Sequence, residues 1–232
     1  MDLKKYCKKA YLGFGAIIIY FILNNLQGLP FSLLGIDVNN IPLPIKVTYL
    51  LIFELLIATI LFIIYRKQII TDFKDLKQNH KKYFSECFKY WLIGLMIMYA
   101  SNFIIMFVFD SGLSENEEAV RNIFKISPLY IYISAVIFAP IIEELVFRNS
   151  IRYVVPNKYL FIFLSGFLFG FAHLGYTITS FIDVLTIIPY GALGWMFAIM
   201  LEKTNNIFVS MGFHLMHNGI LINLQFLLLF FS

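Results

Sequence analysis

Residues 139 to 148 read Ala-Pro-Ile-Ile-Glu-Glu-Leu-Val-Phe-Arg, which sets two adjacent carboxylates, Glu143 and Glu144, just ahead of a guanidinium, Arg148. Neighbouring residues on a helix point about 100° apart, so the two glutamates are unlike in role. Glu144 and Arg148 are four apart and can pair along one face. Glu143 is then left free to face a cavity. A second candidate, His173, closes the stretch Gly166-Phe-Leu-Phe-Gly170-Phe-Ala-His173, one helical turn after Phe169. A third, His214, stands one turn before Asn218, with His217 on an adjoining face and able to take its place. Each group also has a plain structural reading, as an interfacial charge or as a polar link between helices worth about 0.6–2 kcal/mol.

The elements that carry these groups are membrane spans. The 232 residues are 60% hydrophobic and 14% charged, with a mean hydropathy of +0.79. A soluble domain is nearer about half apolar and about a quarter charged, so lipid must take the excess. Seven runs are long enough to cross about 30 Å of hydrocarbon: about 10–27, 45–65, 88–109, 127–149, 158–176, 180–201 and 205–231. Backbone in lipid must satisfy itself, so each is read as a helix. The expected fold is all-α, a polytopic membrane bundle with about seven transmembrane helices. The first run follows Lys4, Lys5, Lys8 and Lys9 with no small-residue cleavage site after it, and reads as a retained span. The polar stretch 66–87 reads as an amphipathic connector lying on the membrane.

Charge placement gives the orientation. The net charge of +4 sits in short clusters between apolar runs, which is the pattern of a membrane protein and not of a nucleic-acid binder. With the N-terminus inside, 15 of the 18 Lys and Arg are cytosolic and only Lys46, Arg121 and Lys125 are outside, so the chain reads as N-in and C-out. Cys7 and Cys87 fall in the cytosolic regions and read as reduced thiols. Glu143 and His173 lie equally far from the connector 152–158, about 20 Å along antiparallel helices, and His214 about 15 Å from its own inner end. The three are therefore expected around one water-filled cavity opening toward the cytosolic half, with His214 facing Glu143 from across it. Glu54 lies mid-span with no partner evident in the sequence.

Glu143-Glu144-x-x-x-Arg148, Phe169-x-x-x-His173 and His214-x-x-x-Asn218, in that order on separate spans, resemble the CPBP family. These are CAAX-type prenyl endopeptidases and bacteriocin-processing or self-immunity proteins, also called Abi. The resemblance covers roughly residues 128–220 as a catalytic core; residues 1–127 read as three generic spans with a basic cytosolic connector, and 1–232 as one integral membrane domain. It implies an intramembrane endopeptidase acting on a membrane-associated peptide or protein. Glu143 would activate water as general base, with His173 helping to hold it. His214 and Asn218 would stabilise the oxyanion, and Glu144, Arg148 and Phe169 would support the site. One Glu and two His, namely Glu143, His173 and His214, could also make a zinc site with an open position. The His-Glu-x-x-His helix motif is absent, and the reading leans to no obligatory metal. Some relatives carry an eighth span after the Asn motif; only 14 residues follow Asn218, so it is not expected here.

Two other classes compete. One is a non-catalytic scaffold or immunity protein that binds a membrane peptide or protein. The other is a transporter, weakened by the lack of an inverted repeat. Prenylated CAAX proteins, leader peptides and membrane proteins all remain as substrates. Richness in Ile, Lys, Asn and Phe suggests an AT-rich bacterial genome and a bacterial plasma membrane, which disfavours a prenylated substrate.

Overall fold

Apolar runs with no solvent to bond their amides become helices, and the computed structural model is helical in every regular element among the residues it describes, 3–109, 114–174, 178 and 180–231. The longer helices are α1 (Leu3–Leu26), α2 (Leu43–Val108), α3 (Glu115–Ile126), α4 (Pro128–Val154), α5 (Lys158–Ala172), α6 (Phe181–Thr204) and α7 (Ile207–Phe231), with short turns of helix at Leu29–Leu33 and Val38–Asn40 between the first two. Helices α1, α2, α4, α6 and α7 are long and apolar enough to cross a membrane; α5, with 15 residues, is shorter. Only 11% of the most apolar window of α1 and 17% of that of α2 is buried within the protein, so lipid must cover side chains such as Phe14, Ile63 and Phe103. The start of the loop at 110–126 (residues 110–113) and Ser232 lie outside the described residues.

Helix α2 differs from expectation. The two separate runs at 45–65 and 88–109 belong to one 66-residue helix, and the stretch between them is helical throughout. A straight helix would set Glu54 and Gly94 about 60 Å apart. Yet the Ser134 hydroxyl donates to Glu54 at 2.5 Å, Gly94 packs on Leu193, and Ser134 and Leu193 line the same cavity. Helix α2 therefore bends back between these points. No Pro or Gly lies between Ile45 and Ile93, so nothing in the sequence announces the bend. The middle of α2 is also less free than a surface connector, because it packs on the start of α7. The Asn206 amide donates to the Asp72 carbonyl at 2.7 Å and to the Asp75 carboxylate at 2.8 Å. The Asp72 carboxylate accepts the Ile207 N–H at 3.1 Å, satisfying an amide that a helix start leaves unpaired.

Other helix ends gather at the same place. Tyr6 donates to the Val154 carbonyl at 2.8 Å, and Arg152 reaches Glu202 at 3.2 Å and Asn205 at 2.9 Å. The start of α1, the middle of α2, the ends of α4 and α6 and the start of α7 thus share one side of the bundle. It is the basic side, since these regions hold most of the lysines and arginines. Helix α3 lies toward the opposite side.

Helix α4 contains two wide π turns, Tyr132–Phe138 and Glu144–Ser150, around the segment Ala139–Glu143. The cause of the first is Pro140, whose ring and missing N–H break an α-helical ladder. In the wide register Ala139 donates to the Ser134 carbonyl five residues back. The next carbonyl, Ala135, would pair with residue 140, which has no N–H. Asn218 of α7 fills that gap, its amide donating to the Ala135 carbonyl at 2.8 Å. A carbonyl freed inside lipid is thereby satisfied by a neighbouring helix.

Asn218→Ala is expected to cost about 1 kcal/mol, within the range of interhelical hydrogen bonds in membranes. Pro140→Ala, which restores an N–H for Ala135, should remove most of that cost. A double-mutant cycle on thermal unfolding in detergent measures the coupling; strictly additive losses would show that Asn218 does not serve Ala135.

Candidate active site

The site begins with close packing of α5 on α6. A methyl group at Gly166 would collide with the Trp195 indole, and one at Gly170 would lie 2.5 Å from the Ile187 carbonyl oxygen. The two glycines of α5 thus make room for α6. A methyl at Gly194 would stand 3.0 Å from Gly166 Cα and 3.3 Å from Arg148 Nη2. Glycine at these positions leaves room for the Arg148 guanidinium.

Arg148 is fully buried. Its guanidinium lies over the Phe169 ring at 4.1 Å and the Phe197 ring at 5.4 Å, and its Nη1 is 3.3 Å from Glu144 Oε1. Both carboxylate and guanidinium have zero exposure, so each makes the other tolerable; removing one partner of such a pair is strongly destabilising. The expected pairing of Glu144 with Arg148 is present. A contact the sequence did not reveal is that Glu144 Oε1 also binds His214 Nδ1 at 3.0 Å. An ionised carboxylate only accepts, so Nδ1 carries the proton. The ring is held against Phe197 at 5.0 Å and 28°, with Phe169 edge-on at 5.7 Å. Nε2 then lies 3.6 Å from Glu143 Oε2. His217 is also buried near this point, but the Glu144 bond belongs to His214.

His173 ends α5. Its Nδ1 donates to the Phe169 carbonyl at 2.8 Å. Its ring stacks on Tyr190 at 4.8 Å and 20°. The Tyr190 hydroxyl in turn bonds Ser114 at 2.8 Å and accepts from Asn116 at 3.2 Å, tying His173 to the first turn of α3. Tyr190 was not singled out from the sequence. In a chain with 14 tyrosines an aromatic residue in a span carries no contrast.

Glu143, Phe169, His173, His214, His217 and Asn218 all line one cavity of about 680 Å³. A smaller hollow of about 400 Å³, lined by Thr59, Phe62 and Phe138 among others, includes none of them. The expected convergence is therefore found, with two corrections. His214 stands beside Glu143 and not across from it, because Glu144 draws the ring to the same helix face. The cavity also does not run toward the basic side. Its other walls are Ser114, Asn116, Glu117 and Arg121 near and on α3, with Tyr190, Leu224 and Leu228. Toward the basic side the path is closed by the fully or nearly fully buried Glu144, Arg148, Asn149, Ser150 and Asn206. Among the described residues no three His, Cys, Asp or Glu side chains converge as a metal-ligand set, so a zinc site on Glu143, His173 and His214 does not fit this geometry.

Comparison with known proteins agrees with the motifs. A family model for type II CAAX prenyl endopeptidase Rce1-like proteins matches residues 125–220. The putative membrane peptidase YdiL of Bacillus subtilis is 29% identical over 150 residues, covering 57% of this chain and 58% of that protein. An uncharacterized protein of Mycoplasma capricolum subsp. capricolum is 31% identical over 209 residues, covering 81% of this chain and 59% of that one. The chain thus spans about three fifths of the length of these curated relatives. No solved structure matches it. Long lipid-facing helices make this chain an integral membrane protein, and its residues 125–220, which hold the Glu143, Glu144, Arg148, His173 and His214 cluster, are similar to the type II CAAX prenyl endopeptidase, Rce1-like family.

Proposed function

We propose that the chain is an intramembrane endopeptidase that hydrolyses a peptide bond of a membrane-associated peptide or protein. The observation that carries this reading is the chain of contacts from Arg148 through Glu144 to His214, which turns His214 Nε2 toward Glu143 at the cavity wall. A pair held only for stability would not need a second carboxylate, oriented toward the same ring, at the edge of a cavity.

The roles follow from this arrangement. Glu143 takes a proton from a water held near His173, and the hydroxide attacks the scissile carbonyl carbon. The oxyanion forms beside His214, whose imidazolium form offers an Nε2–H, and beside the second N–H of Asn218, the first being engaged by Ala135. Glu143 then returns the proton to the leaving amine as the C–N bond breaks, giving a carboxylic acid and an amine, which ionise to carboxylate and ammonium. Apolar wall residues such as Met98, Ile105 and Leu221 would take the substrate's side chains.

Glu143→Gln keeps the volume and removes the base, so a loss of about 10²–10⁴-fold in cleavage is expected with expression and insertion retained. Peptidomics of membranes and medium from cells carrying wild type or Glu143→Gln reads this directly. An identical peptide set would defeat the peptidase reading and favour a binding protein. Glu144→Gln leaves Arg148 without its counter-charge, so a destabilisation of about 3–5 kcal/mol and a partial loss of activity are expected, seen as a lower melting temperature in detergent.

A further inference from the structure

The side on which the cavity opens says where its occupant comes from. Toward the basic side, Glu143 is separated from the α4 end at Arg152 by about 13 Å of helix. Those turns of α4 contain Glu144, Arg148, Asn149 and Ser150, all with at most 1% exposure. Beneath them Tyr65 bonds Ser150 at 2.6 Å, Gln68 donates to Asn149 at 2.7 Å, and Tyr153 bonds Gln68. This is a closed floor. In the other direction the cavity continues past Ala139, Ser134 and Asn102 to a polar rim at Ser114, Asn116 and Glu117, with Arg121 paired to Glu117 at 2.8 Å.

The basic side has its own address. Fourteen of the 18 Lys and Arg lie in the regions that meet there; Arg148 is buried in the core, and Lys46, Arg121 and Lys125 lie elsewhere. The loops are short, so the bias sets orientation and puts the basic side in the cytosol. Closed floor and charge bias together have one outcome. We infer that the cavity is entered from the non-cytosolic side, past the rim formed by α3, and that its substrates are peptide segments exported from the cell or exposed at the outer leaflet. The substrate class rests on the peptidase reading; the sidedness does not. A polar rim above apolar walls suits a segment that arrives through water and lodges one or two apolar side chains. A lipidated chain end presented from the cytosol would meet the floor.

The chain carries an internal control for the test. Cys7 is exposed at the start of α1 on the basic side, and Cys87 is buried. In Ala139→Cys a thiol is added to the cavity wall, four residues from Glu143. Intact cells are treated with a membrane-impermeant sulfonated methanethiosulfonate, and each cysteine is followed by mass spectrometry of the purified full-length protein. Residue 139 is expected to react in intact cells, and Cys7 only after permeabilisation. Arg121→Cys repeats the test at the rim, where the side chain is exposed and packs on no core. Reaction at 139 and 121 only after permeabilisation would overturn the inference. Labelling does not depend on catalysis, so it stands apart from the Glu143→Gln peptidomics. Peptides that disappear with Glu143→Gln should derive from exported or outer-leaflet segments; a set drawn from cytosolic chain ends would overturn the substrate class while leaving the peptidase intact.

Discussion

A guanidinium with no exposure to water governs the core of this protein. Arg148 cannot shed its charge and cannot reach solvent, so its surroundings must supply both counter-charge and polarisable contact. Glu144 supplies the first, and the faces of Phe169 and Phe197 supply the second. Each demand propagates. Phe169 and Phe197 lie on different helices, α5 and α6, which can both reach Arg148 only if they pack backbone to backbone. That is what Gly166, Gly191 and Gly194 allow. With Glu144 committed to Arg148, its remaining geometry fixes the His214 ring, and Glu143 is the carboxylate left at the cavity. The distinct fates of two adjacent glutamates follow from one buried cation.

The second constraint is lipid, which forbids an unpaired backbone group. Pro140 violates the helical ladder next to the site, and the structure answers with a wide turn and a side chain from α7. The same turn presents Ser134 to Glu54. Glu54, isolated in the sequence, thereby gains a partner 80 residues away in the chain. The irregular backbone of α4 is thus tied to α2 on one side and α7 on the other, immediately before the residues that face the cavity.

Much of this was legible from contrast. Glu143, His173, His214 and Asn218 stand out because polar groups in apolar helices are rare and expensive, and the structure brings all of them to one cavity. The regions that share the basic side could likewise be grouped from Lys and Arg alone. What escaped notice lacked contrast. The bond from Asn218 to Ala135 depends on helix register, which Pro140 alters and composition does not report. The bend of α2 leaves no Pro or Gly behind. The direction of the cavity was misjudged because depth along each helix was counted from the nearer polar turn. Depth says how far a residue lies from an end and nothing about which end is packed shut.

Helix α2 has a consequence for how the chain is made. Its two apolar arms are parts of one helix, and a stretch carrying Lys67, Lys74, Lys77, Lys81 and Lys82 lies between them. The two arms are joined by the bend of one helix with no loop between them. The second must be laid down alongside the first as synthesis proceeds, with the lysine-bearing turn left behind in water. Biogenesis of this half of the protein therefore lays down a hairpin whose turn is itself helical.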